Sequence, residues 1–169
     1  MDSDKKVELK EISNIEVKNT FDWLFDPIFK KFFTLRAEPN WNTHVEYFKK
    51  IKEDSTQKVY AIYADKKHIG NCGFKYIKDK TGELWIYIGD NAYRGKHLAK
   101  PACKLLIEKG KKELGINKIY LHVLKNNIVA IGLYESLNFV QIEMDEEDKK
   151  IWKDQADNTS KYLLEVTND

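Results

Sequence analysis

Apolar residues along this chain recur with two periods, two and about 3.6, and the switches between them divide the chain into elements. "VELKEIS" alternates apolar and polar positions, as a strand with one buried face does. "NTFDWLFDPIFKKFFTL" is dense in aromatics and interrupted by Pro27. It predicts a short helix, a break at Asp26 and Pro27, and another helical turn. In "WNTHVEYFKKIKED", Val45, Phe48 and Ile51 share one face, which predicts a helix with Thr43 as N-cap. Three strand-like runs follow, "QKVYAIYAD", "HIGNCGFKYI" and "ELWIYIG". The short polar links between them, "DKK" and "KDKTG", suit antiparallel hairpins.

After "YRGKHLAK" (residues 93–100), Ala99, Ala102, Cys103, Leu106, Ile107, Gly110 and Leu114 recur at helical spacing, and Gly115 follows as a C-cap. "KIYLHVL" is an apolar strand, and "NIVAIGLYESLN" predicts a helix with Ala130, Leu133, Tyr134 and Leu137 on one stripe. "FVQIEM" and "KYLLEVT" predict two closing strands around an acidic loop, "DEEDKKIWKDQADNTS". The order is β-α-α-β-β-β-α-β-α-β-β, with one strand–helix–strand crossover among antiparallel hairpins. That implies an α+β fold, a three-layer sandwich whose mixed, mostly antiparallel sheet is flanked by helices. No repeat or low-complexity linker divides the 169 residues, so residues 1–169 read as one domain.

Composition removes several function classes. The 29 Lys+Arg against 27 Asp+Glu leave a net charge of +2, without the basic excess of a nucleic-acid binder. No apolar run approaches the ~18 residues a membrane span needs. "MDSDKKVELK" lacks the apolar core of a secretory signal, so a cytoplasmic protein is expected. Cys72 and Cys103 lie far apart, with no CxxC pair and no His at ligand spacing, so they are expected to be free thiols and no metal site is expected.

The chemistry concentrates in residues 93–100, between a strand and a helix. Pro101 has no N–H and is tolerated only among the first, unpaired positions of a helix, so the helix starts no earlier than about Leu98. The amides of Gly95, Lys96, His97, Leu98, Ala99 and Lys100 are then free to face an anion, with Arg94, Lys96 and Lys100 adding charge. A capped turn that binds nothing is the competing reading. G-x-G-x-x-G and G-x-x-x-x-G-K-[ST] are both absent, which argues against a dinucleotide fold and a P-loop.

The second half of the unit, "LHVLKNNIVAIGLYESLNF", completes a resemblance to the GNAT superfamily of acyl-CoA N-acetyltransferases across nearly the whole chain. The pyrophosphate motif of that family, [RQ]-x-x-G-x-[GA], is met by Arg94 and Ala99, with His97 in place of the Gly. A later motif, N-x-x-A-x-x-x-Y-x-x-x-G-F, is met by Asn127, Ala130, Tyr134 and Phe139, with Asn138 in place of the Gly. The resemblance implies that the loop amides hold the pyrophosphate of acetyl-CoA. It also implies that the pantetheine arm lies between the strand of Ile86, Tyr87 and Ile88 and the strand of residues 121–124, with Asn127 bonded to it. Tyr134 resembles the general acid of the family, able to protonate the thiolate expelled when an amine attacks the thioester. Tyr134 reads otherwise as a core tyrosine.

A base must take the ammonium proton. Glu83, which opens the fourth strand on the face of Trp85 and Tyr87, is the candidate, or else an exposed carboxylate beside a turn. His44, His68 and His122 are its rivals. "WNTHVEYFKKIKEDSTQKVYAIYADKKHIGNCGF" is similar to acetyltransferases of nucleotide-linked amino sugars, and more broadly to those of ribosomal-protein N-termini and spermidine. Trp23, Phe25, Trp41, Tyr76 and Trp85 are either stacking surfaces for such an acceptor or core. A small-molecule amine, first of all a nucleotide-linked amino sugar, is thus the expected substrate. A protein N-terminus, a polyamine and a non-catalytic acyl-CoA-binding module are the alternatives, and homodimerisation stays open.

Overall fold

The computed structural model describes residues 6–33 and 38–166. Residues 34, 35 and 167, where two of the predicted elements end, lie outside them. Seven strands form one sheet in the order β1-β2-β3-β4-β5-β7-β6. They are β1 Val7–Glu11, β2 Lys58–Ala64, β3 Lys67–Lys78, β4 Thr81–Ile88, β5 Lys118–Leu124, β6 Val140–Ile142 and β7 Thr159–Glu165. Every described neighbour pair is antiparallel except β4 and β5.

Two-residue turns make the central hairpins. Asp65 and Lys66 join β2 to β3 at φ 48° and 72°, and Asp79 and Lys80 join β3 to β4 at φ 51° and 63°. Two successive left-handed residues give the turn whose twist matches paired strands. The polar links seen in the sequence are therefore tight hairpins.

Helices cover both faces. α1 Asn14–Trp23 and α3 Trp41–Glu53 pack Val17, Phe48 and Ile51 against Val59 and Ala61 on one face. α4 Ala99–Leu114 and α5 Ile128–Ser136 pack Cys103, Leu106 and Tyr134 on the other, against Phe74, Ile119 and Leu121. Burial of each large apolar side chain contributes roughly 1.5–3 kcal/mol. With both faces covered, β2 is buried along most of its length and β3 from His68 to Phe74, where the polar His68 and Asn71 are bonded to each other. Gly110 is required here, because a Cβ on it would lie 2.7 Å from the Phe74 ring.

Between α1 and α3, α2 Pro27–Phe33 starts on the proline, where the missing N–H has no helical partner to lose. No helix among the described residues is long and apolar enough to cross a membrane.

Three expectations need correction. The N-cap of α3 is Asn40, whose side chain accepts from the Thr43 amide at 3.0 Å, so Thr43 is already inside the helix. The acidic loop contains a helix, α6 Glu146–Trp152, followed by a 3-10 segment, Lys153–Asn158. Reciprocal caps between Asp145 and Asp148 start α6, which outweighs its shortage of apolar residues. And β4 begins at Thr81, which makes Glu83 its third residue, buried within the sheet rather than exposed beside the turn.

Candidate active site

β4 and β5 are partners only at their beginnings, where Thr81, Gly82 and Glu83 face Lys118, Ile119 and Tyr120. Beyond these, β4 pairs with β3 alone and β5 with β7 alone, so the two parallel strands diverge around Ile86, Tyr87 and Ile88. One side of β4 is thereby left with backbone groups that an extended ligand can pair with.

The chain leaves β4 through a braced loop. Gly89 and Asp90 donate their amides to the Ile69 carbonyl at 2.8 and 3.0 Å, and Asp90 caps a 3-10 turn, Asn91–Tyr93. The Arg94 guanidinium bonds the carbonyls of Ile88 at 2.9 Å and Gly89 at 3.2 Å, and its Nη1 lies 3.6 Å from Asp26 Oδ2. Its charge is spent on fixing the loop to the end of β4 and to the start of α2. Lys96, Lys100 and Lys104 instead line a cavity of about 660 Å³, together with Ile88, His97 and Leu133.

Gly95 and His97 are both left-handed, at φ 72° and 60°. His97, which stands where the motif has glycine, thus adopts the backbone a glycine would supply. Asn138, the other replacement, does the same at φ 73° and ends α5. Leu98 is the buried N-cap of α4, and the first helical bond runs from the Ala102 amide to its carbonyl at 3.3 Å. The amides of Gly95, His97, Leu98, Ala99 and Lys100 donate to no acceptor among the described residues. Unpaired amides at a helix start, in a cavity bearing three lysines, suit the pyrophosphate of a coenzyme.

Tyr134, on α5, points into the core it shares with α4 rather than lining the cavity, and it is 8% exposed. Burial, with Cys103 close by, pushes its phenol well above the ordinary range, so it stays protonated at neutral pH. No hydrogen-bond partner holds its hydroxyl among the described residues, and the oxygen is not fully enclosed. Asn127 caps α5, accepting from the Ala130 amide at 3.2 Å, which leaves its amide nitrogen to donate.

On the opposite face Glu83, 5% exposed, meets His122 Nδ1 through Oε1, and its Oε2 lies 3.5 Å from Lys75 Nζ. Burial tends to raise the Asp148 carboxyl. Its bonds from Lys161 and the Asp145 amide, with the Lys161 and His122 charges, outweigh that and hold it below the ordinary value. The other histidines are engaged elsewhere. His44 Nε2 reaches the Val17 carbonyl at 2.8 Å, and His68 lies between Asn71 and Asn19 at 2.8 and 3.2 Å. Trp23, Phe29 and Trp85 gather around Tyr87, with ring centroids 6.4, 5.3 and 5.7 Å away, while Phe25, Trp41 and Tyr76 are exposed.

The model of the acetyltransferase (GNAT) family matches residues 19–139, most of the chain and the whole of this site except α6 and β7. The chain belongs to that family. As a member it is an acetyl-CoA-dependent N-acetyltransferase. It is 25% identical over 153 residues to an uncharacterised protein of Methanocaldococcus jannaschii, aligning 89% of this chain with 31% of that one. The chain therefore spans about a third of that relative. It is 24% identical over 147 residues to the acetyltransferase PseH of Campylobacter jejuni, aligning 87% of this chain with 91% of PseH. The crystal structure of C. jejuni PseH in complex with acetyl coenzyme A superposes with a TM-score of 0.71 at 20% identity, over 96% of this chain and all of that one. The spermine/spermidine N(1)-acetyltransferase of Bacillus subtilis is 29% identical over 116 residues, 62% of this chain and 76% of that one.

Asp148 and Lys161 have no place in the motifs that identify the family. They lie 26 and 39 residues from His122, and only the pairing of β5 with β7 and the fold of α6 bring them to it. The reciprocal caps of Asp145 and Asp148 are the one sequence signal of that helix.

Proposed function

We propose that this acetyltransferase acts on the primary amine of a nucleotide-linked amino sugar, with Tyr134 as general acid and Glu83 as base. The observation that carries the reading is the divergence of β4 and β5, which opens beside the cavity at the start of α4. Acetyl-CoA supplies the activated acetyl group. The unpaired amides of Gly95, His97, Leu98, Ala99 and Lys100 hold its pyrophosphate, the open side of β4 pairs its pantetheine arm, and Asn127 donates to that arm. A buried, protonated phenol at Tyr134 keeps a proton to give to the departing sulfur. Glu83 lies on the opposite face, where it can take the proton of an acceptor ammonium.

For the acceptor, the support is the similarity to PseH together with the aromatic cluster around Tyr87, which offers ring faces to a base or a sugar. A polyamine reading has the Bacillus subtilis relative in its favour. Against it, the buried carboxylates on this face already have partners: Glu83 with His122 and Lys75, Asp148 with His122 and Lys161, and Glu16 with Tyr63. Free-thiol release from acetyl-CoA, measured with a nucleotide-linked amino sugar, spermidine and a peptide with a free N-terminus, tests the assignment. The amino sugar is expected to give a kcat/KM higher by about tenfold or more, and an equal or larger value with spermidine overturns it.

A further inference from the structure

α6 brings a second carboxylate up behind Glu83 and His122. His122 stands opposite Lys161 in the register of β5 and β7, two residues beyond Tyr120, the partner of Glu83. Its ring crosses the base of the strand divergence. Nδ1 meets Glu83 Oε1, and Nε2 lies 3.2 Å from Asp148 Oδ1. Hydrogen bonds at both ring nitrogens require two protons shared among these three groups. Lys161 Nζ closes one end of the row, 2.7 Å from Asp148 Oδ2, and Lys75 Nζ stands at the other end.

From β3 across β4, β5 and α6 to β7 the row runs Lys75, Glu83, His122, Asp148, Lys161, with the imidazole between two carboxylates and a lysine beyond each carboxylate. The side chains of Glu83, His122 and Asp148 are 6%, 5% and 8% exposed, so solvent screens them weakly. Tyr120 faces the same row, with Lys161 Nζ 4.9 Å from its ring centroid and the His122 ring 6.0 Å away. A cavity of about 40 Å³, lined also by Ile151 and Trp152, touches Glu83, His122 and Asp148 and is large enough for a water.

We propose that Glu83 and His122 accept the proton of the acceptor ammonium as one unit, and that Asp148, acting through His122, is a positioning residue that sets the proton affinity of the unit. This rests on the assignment of Glu83 as base. The step is a single proton transfer. An N–H bond of the ammonium breaks, its electron pair stays on nitrogen for bonding to the acetyl carbon, and the proton passes to the pair and then to solvent.

The two outer groups have opposite signs, which makes the test specific. Asp148→Asn removes a negative charge beside the imidazole and keeps an oxygen to cap Asp145. Lys161→Met removes the cation that offsets Asp148 and leaves the α6 cap intact. NMR titration of the His122 ring in the full chain reads the unit without turnover, and the acid limb of kcat/KM reads it in catalysis. Both midpoints are expected to fall by about one pH unit in Asp148→Asn and to rise by about as much in Lys161→Met, with KM for acetyl-CoA changed by less than about twofold. Midpoints that stay put, or move the same way in both variants, overturn the role of Asp148. Glu83→Gln separates this from the underlying assignment: full turnover there overturns the base itself.

Discussion

On the α4 face the loop of residues 93–100 offers backbone amides, whereas on the α1 face Glu83, His122 and Asp148 offer side chains. A site made of backbone tolerates exchange of side chains as long as its φ angles hold. His97 and Asn138 replace two motif glycines and still keep left-handed backbone. A site made of side chains depends on each residue and on the strand register that gathers them. One half of such an enzyme can therefore stay constant in geometry while the other changes its amine.

The largest effect is expected at Tyr134. Tyr134→Phe should lower kcat by roughly 100-fold while calorimetry finds acetyl-CoA affinity nearly intact, and undiminished turnover would remove the phenol from the chemistry. Gly89 comes next, because it joins the two halves. A Cβ there would lie 2.0 Å from the Trp23 ring. Gly89→Ala should lose about 1–3 kcal/mol in urea unfolding and raise KM for the acceptor more than for acetyl-CoA. Equal changes in both would mean that the halves are not separable.

His97→Gly should gain about 1 kcal/mol by relieving the left-handed residue and leave coenzyme binding unchanged or tighter. A large loss of binding would show the imidazole itself holding phosphate, and the contrast between backbone and side chain would fail on its own ground.

The smallest effect is on pH stability and falls on the α1 face. Burial lowers the affinity of His44 and His68 for protons, outweighing their hydrogen bonds. The unfolded chain thus binds protons first, and melting temperature should begin to decline as pH falls below 6.5, the ordinary value. Burial tends to raise Glu16, but its bonds from Ser13 and Tyr63 and from the backbone hold it below its ordinary 4.5. Its contribution is present above that value and should be lost as pH falls further. His68→Gln should weaken the first stage alone.

Local chemistry made most of the fold legible. Apolar alternation marked the strands, Pro27 the break between helices, and Gly115 the end of α4, where φ is 66°. The loop was legible because Pro101 bounds its helix. α6 was not, since Ile151 and Trp152 are nearly its only apolar residues and its start rests on two aspartates. The motifs pointed to Tyr134, but the burial that keeps its proton in place is a property of packing. The Glu83–His122–Asp148 row was hidden for a different reason. Contacts across 39 and 26 residues are set by strand register, which no local pattern encodes.

Beyond Glu83, β4 has a neighbouring strand on one side only. Its amides facing β5 should exchange with deuterated solvent much faster than those bonded to β3, although both lie in one strand at the centre of the sheet. Coenzyme binding should slow the fast set and leave the other set as it is, so a single strand records on two clocks whether the donor has arrived.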